Sequence, residues 1–161
     1  MDIQTIGAVL YWCEGSKREK DCRVEFVNSD PAMISGFMRY LRTKEIDEAR
    51  IRARMTIHIQ DDESECKEYW KRVTSLDDSN FISTVVKDPS ATRKPLPYGT
   101  MAIRYNSLQL LREIKGEISD LANRISEGGI PAATRRTASN RASLQALRCR
   151  CLRVRRRARG R

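Results

Sequence analysis

The residues best placed to do chemistry in this chain close its first apolar run, Gly7-Ala8-Val9-Leu10-Tyr11-Trp12-Cys13-Glu14-Gly15. A helix of small and apolar residues that delivers one carboxylate, Glu14, beside a glycine stop can present a ligand to a divalent cation, because carboxylate oxygens are hard donors. The plainer reading is a solvated acid at a helix end. A second set of candidates is an arginine row. Ile51, Ala53, Met55, Ile57 and Ile59 alternate with Arg50, Arg52, Arg54, Thr56, His58 and Gln60. That period puts core residues on one face of a strand and three guanidiniums, with the single histidine, on the other. Such a face suits phosphate contact, and arginine pairs well with guanine. An ordinary solvated strand face is the alternative.

Both sets depend on the elements that carry them. Residues 3–14 read as a short apolar helix with Gly15 as its stop. Cys22–Val27 alternates as a strand. Asn28-Ser29-Asp30-Pro31 is a helix start with Asp30 as N-cap and Pro31 at the first position. The helix that follows carries Met33, Ile34, Phe37, Met38 and Leu41 on one face. Asp61-Asp62-Glu63-Ser64 opens an acidic-headed helix containing Tyr69, Trp70 and Val73, with Trp12, Tyr69 and Trp70 as core or dimer contacts. Phe81–Lys87 reads as extended, 89–97 as a linker carrying Arg93 and Lys94, and Tyr98–Tyr105 as a strand that includes Arg104. A last helix runs to about Ile125 with Leu108, Leu111, Ile114, Ile118 and Leu121 as its stripe. The expected fold class is α+β: a mixed or antiparallel, saddle-like sheet with antiparallel hairpins and helices on one face.

The net charge of +10 is unevenly held. Residues 1–128 carry twenty basic and all twenty-one acidic side chains, a net charge of −1, whereas 129–161 carry eleven arginines and no acid. Two regions are therefore expected: a domain over 1–128, and an Arg-rich tail over 129–161 whose composition predicts disorder. The high isoelectric point describes the tail and says nothing about partners of the fold. Five cysteines without a paired framework predict free thiols in a reducing compartment. No apolar run reaches membrane-span length, and Met1-Asp2 lacks the basic start of a signal peptide. The expectation is a cytoplasmic, nucleoid-associated protein with no membrane partner.

The order of elements, the nonapeptide Gly7–Gly15, the Val24–Pro31 strand-to-helix segment and Tyr98-Gly99-Thr100 before the last strand together resemble the LAGLIDADG homing-endonuclease family, in its single-motif prokaryotic form. The resemblance covers roughly residues 4–126. It implies a homodimer in which two motif helices pack side by side through Gly7, Ala8, Tyr11 and Trp12. Each helix would present its terminal acid, here Glu14, to Mg²⁺ at a scissile phosphate of double-stranded DNA. It implies a basic group at the catalytic centre, for which Lys87 and Lys94 are candidates by being basic and near the later strands. Lys17, Arg50, Arg52, Arg54, His58, Arg93 and Arg104 would face DNA. Tyr11 and Trp12 are bulkier than the family's helix contact usually is, and Glu14 replaces the commoner Asp. A cleavage-incompetent DNA-binding or regulatory protein on the same fold is the runner-up, and a protein-interaction domain the third reading.

Overall fold

A computed structural model describes residues 2–16, 22–88 and 96–127. The chain divides into two units, Met1–Arg124 and Ile125–Arg161, and the fold is that of the first. The tail expected to be disordered, with Cys149 and Cys151, lies outside the described residues, as do Lys17, Arg93 and Lys94.

Helix α1 (Ile3–Glu14) starts where Asp2 accepts a hydrogen bond from the Thr5 amide at 2.8 Å, which satisfies one of the free donors of the first turn. It ends at Gly15, whose amide donates to the Tyr11 carbonyl. Gly15 is not in the left-handed region, with φ at −66°. It is glycine for want of space, because a Cβ would run into the Tyr11 carbonyl and ring. Gly15 also bridges Phe26, and the Ser16 amide donates to the Glu25 carbonyl at 2.8 Å. The end of α1 is thereby stitched to strand β1 (Val24–Asn28).

Helix α2 (Pro31–Arg42) follows the expected Asp30 cap, which accepts from the Ala32 amide at 2.8 Å, with Pro31 at the first position, where no amide is needed. Its inner face buries Ile34, Phe37, Met38, Tyr40 and Leu41. Phe37 stacks on Phe26 of β1 with ring centroids 4.3 Å apart. Full burial of each of these large apolar side chains contributes about 1.5–3 kcal/mol. Strand β2 (Arg52–His58) alternates half-buried and buried along its length, as its sequence pattern requires. Helix α3 (Glu63–Thr74) is capped by Asp62 and closes on Ser75 at φ 54°. Its Trp70 is fully buried and donates from Nε1 to the Tyr98 carbonyl at 2.8 Å, while Tyr69 stacks on Tyr98 at 3.8 Å. These contacts hold the turn in which Gly99, at φ 63°, brings the chain against Thr56 and into strand β4 (Thr100–Tyr105).

Strand β3 (Val85–Lys87) is shorter than the extended run expected over Phe81–Lys87. The earlier part is a single bridge between Phe81 and Ala53. The sheet is open, four-stranded and mixed, in the order β1-β4-β2-β3. β4 is antiparallel to both its neighbours, and β2 is parallel to β3. The expected hairpins are not formed: among the described residues no strand pairs antiparallel with the one that follows it. Between β1 and β2 and between β2 and β3 a helix intervenes, and a helical crossover returns the chain for parallel pairing. β4, the last strand in the chain, lies between β1 and β2 and joins them. The helices pack on the apolar face, where Tyr11, Phe37, Trp70 and Ile114 share one cluster with Phe26, Ala53, Met55 and Ile103.

Helix α4 (Leu108–Glu127) is fastened to α2 by polar groups as well as by Leu110, Leu111 and Ile114. Tyr40 Oη donates to Glu117 Oε2 at 2.5 Å. Lys44, whose side chain is only 4% exposed, pairs with Glu117 and with Glu113 at 3.1 Å, and donates to Gln4 of α1 at 3.0 Å. Leu108, expected in the buried stripe, is exposed, and Leu110 takes its place, with its amide held by Ser107 Oγ. Among the described residues Cys13, Cys22 and Cys66 are free thiols, and no helix is long and apolar enough to cross a membrane.

Candidate nucleic-acid interface

The strand registers decide which polar residues meet on the face opposite the helices. Arg52 stands across from Arg104, Arg54 from Ala102 and Thr56 from Thr100. Glu25 stands across from Arg104 on the other side, and His58 beside Lys87. Paired residues share a face. Arg52, Arg54, Arg104, His58 and Lys87 therefore lie on one surface, although they come from three strands.

Arg50 does not join them. It sits in the short 3-10 turn Glu48–Arg50, donates to the Asn106 carbonyl at 3.1 Å and lies over the Tyr105 ring at 5.1 Å. The alternation that enrols it in the row fails because the strand begins only at Arg52.

The face is not uniformly available. Glu25, 7% exposed, accepts from Arg104 Nε at 2.6 Å and from Arg23 Nη2 at 3.1 Å. Burial by itself would raise the Glu25 carboxyl. The Arg104 hydrogen bond and the charges of Arg104 and Arg23 outweigh it and hold the group below its ordinary value. Arg52 donates from Nη1 to the carbonyls of Ala49 at 2.7 Å and Ile51 at 2.8 Å. Arg54 Nε and His58 Nδ1 are buried and have no hydrogen-bond partner. Glu25 was not among the residues selected from sequence. Its alternation with Val24 and Phe26 places it on the polar face, but only the pairing with β4 makes it the partner of Arg104.

The motif helix is placed differently from the expectation. Gly7, Ala8 and Tyr11 are buried within the chain itself. A Cβ on Gly7 would fall into the Tyr40 ring, so the close approach that this glycine permits is made by α2 of the same chain. Gln4, Val9, Trp12, Cys13 and Glu14 are what α1 leaves exposed. Glu14 lies beside β1, whereas Lys87 is on β3 at the opposite edge. Three strand spacings, roughly 14 Å, separate β1 from β3, so one chain does not bring Glu14 and Lys87 into one catalytic centre. Among the described residues no three His, Cys, Asp or Glu side chains are grouped to hold a metal ion. Glu14 alone is a thin donor set for Mg²⁺, which demands six oxygens and takes one or two carboxylates together with phosphates and water.

No protein-family model, curated protein or solved structure matches the chain.

Proposed function

We propose that the protein binds double-stranded DNA through the open face of its sheet. The observation that carries this reading is the gathering of Arg52, Arg54 and Arg104 with His58 and Lys87 on one face, opposite the helices. The body of the chain has almost no net charge, so a concentration of cations on one face is a local feature and not a consequence of overall basicity. Guanidiniums and an ammonium contact phosphate oxygens, and each neutralised phosphate releases counterions. Duplex is favoured over single strands. Among the described residues this face presents no Phe, Tyr or Trp on which unpaired bases would stack.

Cleavage is the second reading, and Glu14 supports it by standing exposed at the end of α1. A single chain does not supply the rest of a metal site, so a second copy's Glu14 and the DNA phosphates would have to complete it. Binding without cleavage needs one chain only and is preferred.

The test is fluorescence anisotropy of a labelled random-sequence duplex, and of its single strand, against the full chain over a salt series. Duplex binding should weaken with salt. The variant carrying both Arg52→Ala and Arg54→Ala should bind more weakly, with a flatter salt slope, each lost phosphate contact removing about 0.9 from it. The Arg-rich tail is common to both proteins and cancels in the comparison. Equal binding by the two would refute the sheet-face reading.

A further inference from the structure

The arginines of the open face differ in whether their donors are already used. Arg104 and Arg23 are both held by Glu25, Arg104 Nε at 2.6 Å and Arg23 through Nη2 at 3.1 Å and Nε at 3.3 Å. Arg52 is folded back onto the carbonyls of Ala49 and Ile51. Arg54 is different: its Nε is buried without an acceptor, and two same-face steps along β2 the Nδ1 of His58 is in the same condition. A buried polar group without a partner bears its desolvation penalty with nothing to offset it. An atom that solvent does not reach is not reached by a phosphate either, but no nitrogen of the Arg54 guanidinium is engaged among the described residues, so its outer Nη groups can meet a phosphate with no internal hydrogen bond to break.

Resting on the duplex-binding reading of this face, we infer that Arg54 is the arginine that contacts the bound duplex, with His58 beside it on the same strand. Glu25 is a restraining residue that holds Arg104 and Arg23 away from the phosphates. The footprint is therefore the β2–β3 side of the sheet, and the β1 side is kept in reserve by one carboxylate. The spacing suits this. Arg54 and His58 are four residues apart, about 13 Å along an extended strand, close to four base-pair rises of ~3.4 Å. Thr56 lies between them, and Lys87 flanks His58 on β3. Asp61, just beyond β2, accepts from the His58 backbone amide at 2.8 Å.

The experiment is the same anisotropy salt series on single variants of the full chain, with thermal melts of each. Arg54→Ala should lower the salt slope by about 0.9, the value of one phosphate contact, and weaken binding about tenfold at low salt. Its melting temperature should not fall, because it removes a buried unpartnered donor. Arg54→Gln serves as a second substitution should the alanine variant unfold. Arg104→Ala should leave the slope unchanged yet lower the melting temperature, since Glu25 loses its shorter partner. Glu25→Gln should steepen the slope by about 0.9, one contact, as the released Arg104 guanidinium reaches phosphate. An Arg104→Ala variant that loses as much slope as Arg54→Ala, or a Glu25→Gln variant whose slope is unchanged or flatter, overturns the assignment alone. An unmodified chain without salt-sensitive duplex binding removes the underlying reading and this assignment with it.

Discussion

Gly7→Ala is the substitution that tests most directly how α1 is used. On an exposed helix position the change is stabilising, by up to about 1 kcal/mol, because alanine loses less backbone entropy. At Gly7 the new methyl would occupy the Tyr40 ring. That ring is fully buried and cannot move aside: its hydroxyl is held by Glu117 at 2.5 Å, its face lies under Lys44 at 5.0 Å, and Phe37 packs 6.0 Å away. Overpacking of this kind costs about 1–3 kcal/mol, and the upper end applies where nothing can yield. Subtracting the propensity gain leaves a net loss of about 2 kcal/mol, or roughly 8 °C in melting temperature for a domain of this size. Gly116→Ala is the internal control. No heavy atom lies within 4 Å of its would-be Cβ, so the same chemical change in α4 should raise the melting temperature by roughly 2–4 °C. Calorimetry or circular dichroism melts at two protein concentrations read both. If Gly7→Ala melts at or above the unmodified protein, the packing of α1 on α2 is wrong. If the loss is strongly concentration-dependent, Gly7 serves a contact between chains instead.

Three further outcomes follow from the ion pairs and from Glu14. The depressed Glu25 carboxyl contributes stability that is present above its ordinary value of 4.5 and is lost as pH falls through the lower folded value. Melting temperature should therefore fall less between about pH 5 and pH 2 in Glu25→Gln than in the unmodified chain. Lys44 is raised: burial opposes the charge, but the bonds from Glu117 and Glu113 outweigh it. Tyr40 is raised by burial and then by Glu117. Both contributions are complete below the ordinary values of 10.5 and 10.0 and are lost as pH rises above them. Alkaline titration of the melt should thus show a steep limb above about pH 10, made shallower by Lys44→Met. At pH 7 that variant should cost about 1–2 kcal/mol, with Glu117 still partly in water. Glu14→Gln should melt and bind duplex like the unmodified chain, and neither should nick supercoiled plasmid in Mg²⁺. Nicking by the unmodified chain that disappears in Glu14→Gln would establish the metal-dependent endonuclease reading.

Much of the fold was legible because it is written locally. The bounds of α1, the Asp30 cap before Pro31, the acid-headed α3 and the alternation of β2 each depend on a few neighbouring residues, and each appears as its pattern requires. Misreadings begin at element ends. Arg50 continues the period of β2 but belongs to a turn, because period alone does not say where hydrogen bonding to a partner strand starts. Phe81 likewise looks extended and makes one bridge only. Gly15 was legible as a stop, but its reason was not: it yields space to Tyr11 and does not supply a left-handed turn.

What the sequence determined by itself is therefore the inventory: an apolar helix ending in one acid, an arginine-bearing amphipathic strand, and a charge break that separates the body from the tail. What only the tertiary structure decided is company. Pairing between strands far apart in the chain put Arg104 across from Arg52 and gave it to Glu25, and the parallel return through α3 set Lys87 beside His58. The same strand order placed Glu14 and Lys87 at opposite edges of the sheet. The packing of α2 claimed the small face of α1 for Tyr40. Periodicity tells which side of an element a residue occupies. What occupies the space on that side is settled only when distant segments close on one another and bury their apolar faces together.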